Sequence, residues 1–103
     1  MKTEIFDLKQ MEKVAGILRV IGHPIRIQVI DLLKGGKELT VNELCCHLKT
    51  DQSSISQHLA KLKLKGILSS RREGRNIFYY LRLKEVVKVM ECMRNCKLNS
   101  IQT

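Results

Sequence analysis

Two helix starts, one short helix apart, limit the folds open to this chain more than anything else in it. Thr40-Val41-Asn42-Glu43 has the form of a capping box, in which the Thr40 hydroxyl accepts from a first-turn amide and Glu43 reaches back to the Thr40 amide. The helix it opens runs from Val41 to about Lys49, with Val41, Leu44, Cys45 and Leu48 on one face. Asp51 then caps a second helix, DQSSISQHLAKLKLK, so only a short link at Thr50 separates the two. Helices joined so tightly, the second with a polar forward face, make a helix-turn-helix.

Within Asp51 to Lys65, Ile55, Leu59 and Leu62 fall on one helical face, while Ser53, Gln57 and Lys61 recur on the other. Gln52, Ser53, Ser54 and Ser56 project from the first turns, and the short hydroxyl side chains among them allow close approach to phosphates. Gln57 can pair both edge groups of adenine in a major groove, and Lys61 adds charge farther along. This is the chemistry of a DNA recognition helix, and its plain alternative is a solvated surface face. His58 flanks the apolar side and is assigned a packing or hydrogen-bonding role. Leu64 points away from the expected core, where a polar residue would be ordinary.

The charge is placed to match. The formal net charge is +9, and residues 49–75 carry seven Lys or Arg against two acids, whereas residues 1–48 carry seven against six. A positive excess that begins at the candidate reading helix suits a polyanion, because neutralised phosphates release counterions. A membrane surface is the rival polyanion, but no segment sets a strong apolar face against a Lys-rich one with interfacial aromatics. No apolar run approaches spanning length and Met1 to Gln10 lacks a signal-peptide core, so a cytoplasmic protein without a membrane partner is expected. Its four cysteines would then be mostly reduced.

The remaining elements follow from periodicity and breakers. Thr3 to Ile21 reads as a first helix whose apolar positions exceed one core stripe. Gly22 ends it, His23 reads as a cap or turn residue, and Pro24 opens a helix to Lys34 that buries Ile27, Ile30 and Leu33. Gly35-Gly36 breaks that helix, and Gly66 ends the reading helix. Ile67 to Arg71 and Ile77 to Leu81 are strand-like runs around Arg72 to Asn76, a β-hairpin with Arg71, Arg72, Arg75 and Asn76 at a basic tip. A solvated tip is the plain alternative; beside a recognition helix it is placed for backbone or minor-groove contact. Leu83 to about Lys97 forms a last helix, also with apolar surface to spare, so the two terminal helices form the expected dimer seam. The expected whole is mainly α with a small β-hairpin: four helices, the hairpin, then a fifth helix. It makes one winged helix-turn-helix domain over residues 1–97, with a frayed tail at 98–103.

At this point the order of elements and several strings resemble the ArsR/SmtB family of winged-helix repressors. The strings are His23-Pro24-Ile25-Arg26, Leu39-Thr40-Val41-Asn42-Glu43-Leu44, Gln52-Ser53-Ser54-Ile55-Ser56-Gln57-His58-Leu59, and Gly74-Arg75 followed by Tyr79-Tyr80-Leu81. The resemblance implies a homodimer through the first and last helices that binds an imperfect inverted repeat in operator DNA and blocks transcription until a signal weakens binding. It places Ser53, Ser56 and Gln57 at base edges and phosphates, and Arg75 at the backbone. Metal-sensing relatives carry Cys-x-Cys where this chain has Thr40 and Asn42, and neither residue supplies a thiolate. The last helix also lacks histidine, so no metal and no cofactor is expected, as in metal-site-free members of the HlyU and PagR type. Some of those respond to oxidants or reactive sulfur through cysteines in the second and last helices, but the second-helix position here is Asp31.

The cysteines divide by place. Cys45 faces the core side of its helix, while Cys46 falls on another face beside His47. Cys92 and Cys96 are helical neighbours, but a disulfide between them strains a regular helix. Thiol oxidation or reactive sulfur sensed through Cys46, Cys92 and Cys96, capture of a thiophilic ion, purely structural thiols and a different ligand all remain open. For the domain itself, the alternative to a DNA-binding repressor is a winged-helix module binding an acidic protein. A hydrolase or transferase is not expected: the chain has no nucleophile elbow, phosphate-binding glycine loop or His-Cys-Asp grouping in a recognisable motif context.

Overall fold

The computed structural model describes residues 7–96. The expected helix start at Thr3, the helix end at Lys97 and the tail at 98–103 lie outside them. Along the described chain run α1 (Leu8–Ile21), α2 (Pro24–Leu33), a 3-10 turn (Lys34–Gly36), β1 (Glu38–Thr40), α3 (Val41–Leu48), α4 (Gln52–Leu64), β2 (Leu68–Glu73), β3 (Asn76–Leu81) and α5 (Glu85–Asn95).

Local chemistry sets most of these boundaries. Asp7 caps α1 by accepting from the Gln10 amide while the Gln10 side chain returns to the Asp7 amide, so the described helix begins at Leu8. His23 caps α2 through Nδ1, which accepts from the Ile25 amide at 3.2 Å, with Pro24 at the first helical position. The Thr40–Glu43 box opens α3 as the residue types require. Gly66, at φ +76°, closes α4 with the Ile67 amide donating to the Leu62 carbonyl and its own amide to that of Lys63.

The sheet is larger than a hairpin. β1 pairs with β3 on the side away from β2, giving the antiparallel order β1-β3-β2. The hairpin link is also shorter than expected. Glu73 pairs with Asn76, leaving only Gly74 and Arg75 in the turn, and Gly74 takes φ +62° at the first turn position, as a type II′ turn demands. The last helix begins two residues later than expected, after a link in which the amides of Arg82 and Leu83 donate to the Ile67 carbonyl.

One core joins these layers. Ile55, Leu59 and Leu62 of α4 are fully buried with Leu44 of α3, Val29, Ile30 and Leu33 of α2, and Ile67 and Leu68 of the β2 approach. Ile21, Leu81 and Val86 close its edges. Ile27, expected inside, is 41% exposed, and Val29 takes its place. At about 100° per residue, Ile27 and Leu33 stand about 120° apart around the helix, too far to share one stripe. No polar or charged side chain is buried among the described residues, which suits a small core with no room for partnered charges.

Candidate nucleic-acid interface

The turn between α3 and α4 consists of Lys49, Thr50 and Asp51. Lys49 adopts the left-handed conformation at φ 52°, and the Thr50 hydroxyl donates to the Leu48 carbonyl at 3.1 Å. Asp51 accepts from the Ser54 amide at 2.9 Å and from the Ser54 hydroxyl at 2.8 Å. These bonds to the charged form lower the Asp51 pKa, so the cap is ionised at neutral pH. Ser54 is thus partly occupied in holding the helix start.

Burying Ile55, Leu59 and Leu62 fixes which way the rest of α4 points. Gln52, Ser53, Ser56, Gln57 and Lys61 are all exposed. Leu64 is 88% exposed and in helical phase with Ser53 and Gln57, and nothing in the fold explains an apolar residue there.

β2 and β3 are seated against α4 through Leu68 and Leu81 in the core, and at the surface the Lys63 ammonium donates to the Ser70 hydroxyl of β2 at 2.7 Å. The pleat separates two arginines that are adjacent in sequence. Arg72 pairs across from Ile77, in phase with the Leu68–Leu81 pair on the core side of the sheet. Arg71 pairs across from Phe78 on the opposite face, with its guanidinium 4.7 Å over that ring. There it also donates to Glu38 of β1 and, at 2.6 Å, to Glu73. The two carboxylates raise the Arg71 pKa, Glu73 most, and keep the side chain on the sheet. Arg75 and Asn76 stand exposed at the turn. They share a cleft of about 200 Å3 with Gln52 at the α4 start and Asn42 at the α3 start. The fold thus brings the wing tip to the helix N-termini and leaves Arg71 apart.

A second set of contacts holds α4 from behind. His58 sits between α4 and α2: Arg26 donates through Nε to His58 Nδ1 at 3.0 Å and through a terminal nitrogen to the Val20 carbonyl at 2.9 Å. The His23 ring lies 4.4 Å from that of His58. Desolvation, then the positive fields of His23, Arg26 and Lys61, lower the His58 pKa below the ordinary 6.5. A protonated ring could no longer accept from Arg26. Because the unfolded chain binds this proton more readily, the contact's stability is complete above about pH 6.5 and declines as pH falls through the depressed folded value. Melting temperature should therefore drop between pH 7.5 and 5.5, and His58→Asn should flatten that part of the profile. An unchanged drop in the variant would assign the effect to other groups.

Cys45 packs half-buried against the core, while Cys46, Cys92 and Cys96 are exposed free thiols. Asp31, at 2.8 Å from Arg94 of α5 and 3.0 Å from Lys34, ties the second helix to the last by charge. The Lys34 hydrogen bond, with smaller help from Arg94, keeps its pKa low. Among the described residues no three His, Cys, Asp or Glu side chains gather to hold a metal, and no helix is long and apolar enough to cross a membrane.

Comparison with known proteins agrees with this geometry. Residues 23–70 match the family described as "Bacterial regulatory protein, arsR family". An HTH-type transcriptional regulator from Methanocaldococcus jannaschii is 36% identical over 87 residues, covering 82% of this chain and 98% of that protein. The transcriptional activator HlyU of Vibrio cholerae is 33% identical over 90% of this chain and 91% of its own. The solved HlyU structure superposes with a TM-score of 0.78 over 85% of this chain and 95% of that one, at 33% identity. The transcriptional repressor PagR of Bacillus anthracis is 31% identical over 84% of this chain and 87% of its own. Its crystal structure gives a TM-score of 0.75 at 30% identity, over 84% of this chain and 99% of that chain. The chain therefore belongs to the arsR family of bacterial regulatory proteins, and it is a winged helix-turn-helix transcriptional regulator rather than an enzyme.

Proposed function

We propose that this regulator is a single-domain repressor that binds an imperfect inverted repeat in double-stranded DNA as a homodimer. The observation that carries the reading is the division of α4: Ile55, Leu59 and Leu62 fully buried, with Ser53, Gln57 and Lys61 exposed on the other side. Ser53, Ser56 and Gln57 meet base edges and phosphates, Gln52 and Ser54 support the approach at the helix start, and Lys61 meets the backbone. Arg72, Arg75 and Asn76 contact the flanking strand, and Arg71 contributes least because Glu38 and Glu73 already hold it.

Pairing through α1 and α5 is supported by where the apolar surface lies. Leu8, Met11, Val14 and Leu18 on α1 and Val89 and Met93 on α5 are all exposed, and between the two helices runs an apolar groove of about 230 Å3. Such continuous apolar surface on a small chain marks a protein interface.

Mobility shifts on genomic fragments, the gene's own promoter included, test the function. Binding should weaken steeply with salt. Gln57→Ala should cost about 1–3 kcal/mol on the preferred site and relax one base position, while Arg75→Ala should weaken all sequences alike and reduce the salt slope by about 1. Equal losses on specific and random duplex for Gln57→Ala would remove its reading role. The absence of any salt-sensitive shift would return the basic surface to an acidic protein partner.

For the signal, exposed Cys46, Cys92 and Cys96 support release by thiol oxidation, reactive sulfur or a thiophilic ion. Replacing both Cys92 and Cys96 by Ser should abolish release by peroxide or polysulfide. A double variant that responds as the parent does would make the α5 thiols structural.

A further inference from the structure

A sizeable concavity lies away from the proposed DNA face. A cleft of about 620 Å3 opens where the 3-10 turn, the ends of β1 and β3, and the first turns of α5 meet, within the roughly 300–1,000 Å3 typical of small-molecule sites. Its floor is apolar, from Leu81 and Val87 over the fully buried Leu33. One wall is the bare backbone of Gly35 and Gly36, held at positive φ and offering no side chain to fill the space.

The rim is chemically one-sided. Lys84 and Lys88, one helical turn apart on α5, both line the cleft, with Tyr80 across from them. Among the described residues Glu38 is the only acid on the lining, and Arg71 already engages it. Neither lysine has a carboxylate in ion-pair range among the described residues. An apolar floor beneath uncompensated ammonium groups is complementary to a molecule with an apolar body and an anionic head.

We propose that this cleft binds a small organic carboxylate, its body on Leu81 and Val87 and its head between Lys84 and Lys88. At about 100° per residue, Val87 lies about 160° around α5 from Val89, which faces the apolar groove beside α1, whereas Lys88 lies about 100° from it. The cleft and that groove share no lining residue among the described residues. A molecule seated in it touches α5, the turn that follows α2, and β3, which carries one side of the wing. This makes it a candidate signal for the regulator proposed above; only that consequence, not the binding itself, rests on that reading.

The test uses the full chain without DNA, so its failure leaves the DNA reading standing. Benzoate, its neutral analogue benzamide and inorganic phosphate are titrated separately while backbone amide resonances are followed by NMR. Benzoate should shift Gly35, Gly36 and Val87 saturably, at concentrations on the order of millimolar for so small a ligand. Benzamide and phosphate should each bind about tenfold more weakly or worse, since each supplies half of the recognition. The Lys84→Ala, Lys88→Ala pair should weaken benzoate about tenfold, and Val87→Phe, which fills the floor, should abolish the shifts. Equal response to benzamide or phosphate, shifts spread over all basic surfaces, or benzoate binding unchanged in both variants would overturn the proposal.

Discussion

Leu18→Glu combined with Val89→Glu should yield a folded monomer whose affinity for a two-half-site operator is at least about a hundredfold below the parent's. Both side chains are about half exposed, 49% and 48%, on the lip of the groove between α1 and α5, so the core keeps its packing. What the charges attack is the meeting of two such faces, where carboxylates would be desolvated and set against their counterparts. A single copy keeps one reading helix and one wing, and so loses half of the base contacts and half of the released counterions together. Sedimentation and far-ultraviolet dichroism would establish the folded monomer, and a titration on specific duplex the affinity. A variant that remains a dimer with parental affinity would move the seam elsewhere.

Leu59→Ala should destabilise the fold by about 2–5 kcal/mol, against the roughly 5–15 kcal/mol typical of a whole domain. Leu59 is fully buried at the centre of the α4 face, between Ile55 and Leu62, where truncation leaves a cavity that rigid neighbours cannot close. Leu64→Ala, one turn later in the same helix, serves as the control. At 88% exposure it should change stability by no more than about 0.5 kcal/mol. Urea unfolding of the pair measures both effects. Comparable losses at the two positions would mean that α4 is not seated as described, and the orientation of Ser53 and Gln57 would fall with it.

That seating was legible in the sequence because it depends on local signals. The Thr40–Glu43 box, the Asp51 cap, Pro24 and Gly66 each act within a few residues, and each marks a real boundary. Four features that depend on distant partners were not. β1 is three residues long, has no periodicity to show, and exists only because Phe78, Tyr79 and Tyr80 pair with it. The opposite fates of Arg71 and Arg72 follow from a register set by the two-residue turn; a longer assumed link placed both at the tip. In α2 the apolar residues surround much of the helix, so spacing alone chose Ile27 where packing chose Val29. The tether between Arg26 and His58 spans 32 residues, and the family-like strings at each end gave no hint that they touch.

The most direct measurement is methylation protection of guanine N7 on a selected operator bound by the parent protein, because N7 lies in the major groove that α4 is held to enter. Two protected patches on one face of the duplex, centred about 10 base pairs apart and lost with the Leu18→Glu, Val89→Glu protein, are expected. A single patch, protection with no such spacing, or the same pair of patches from the monomeric protein would contradict the account.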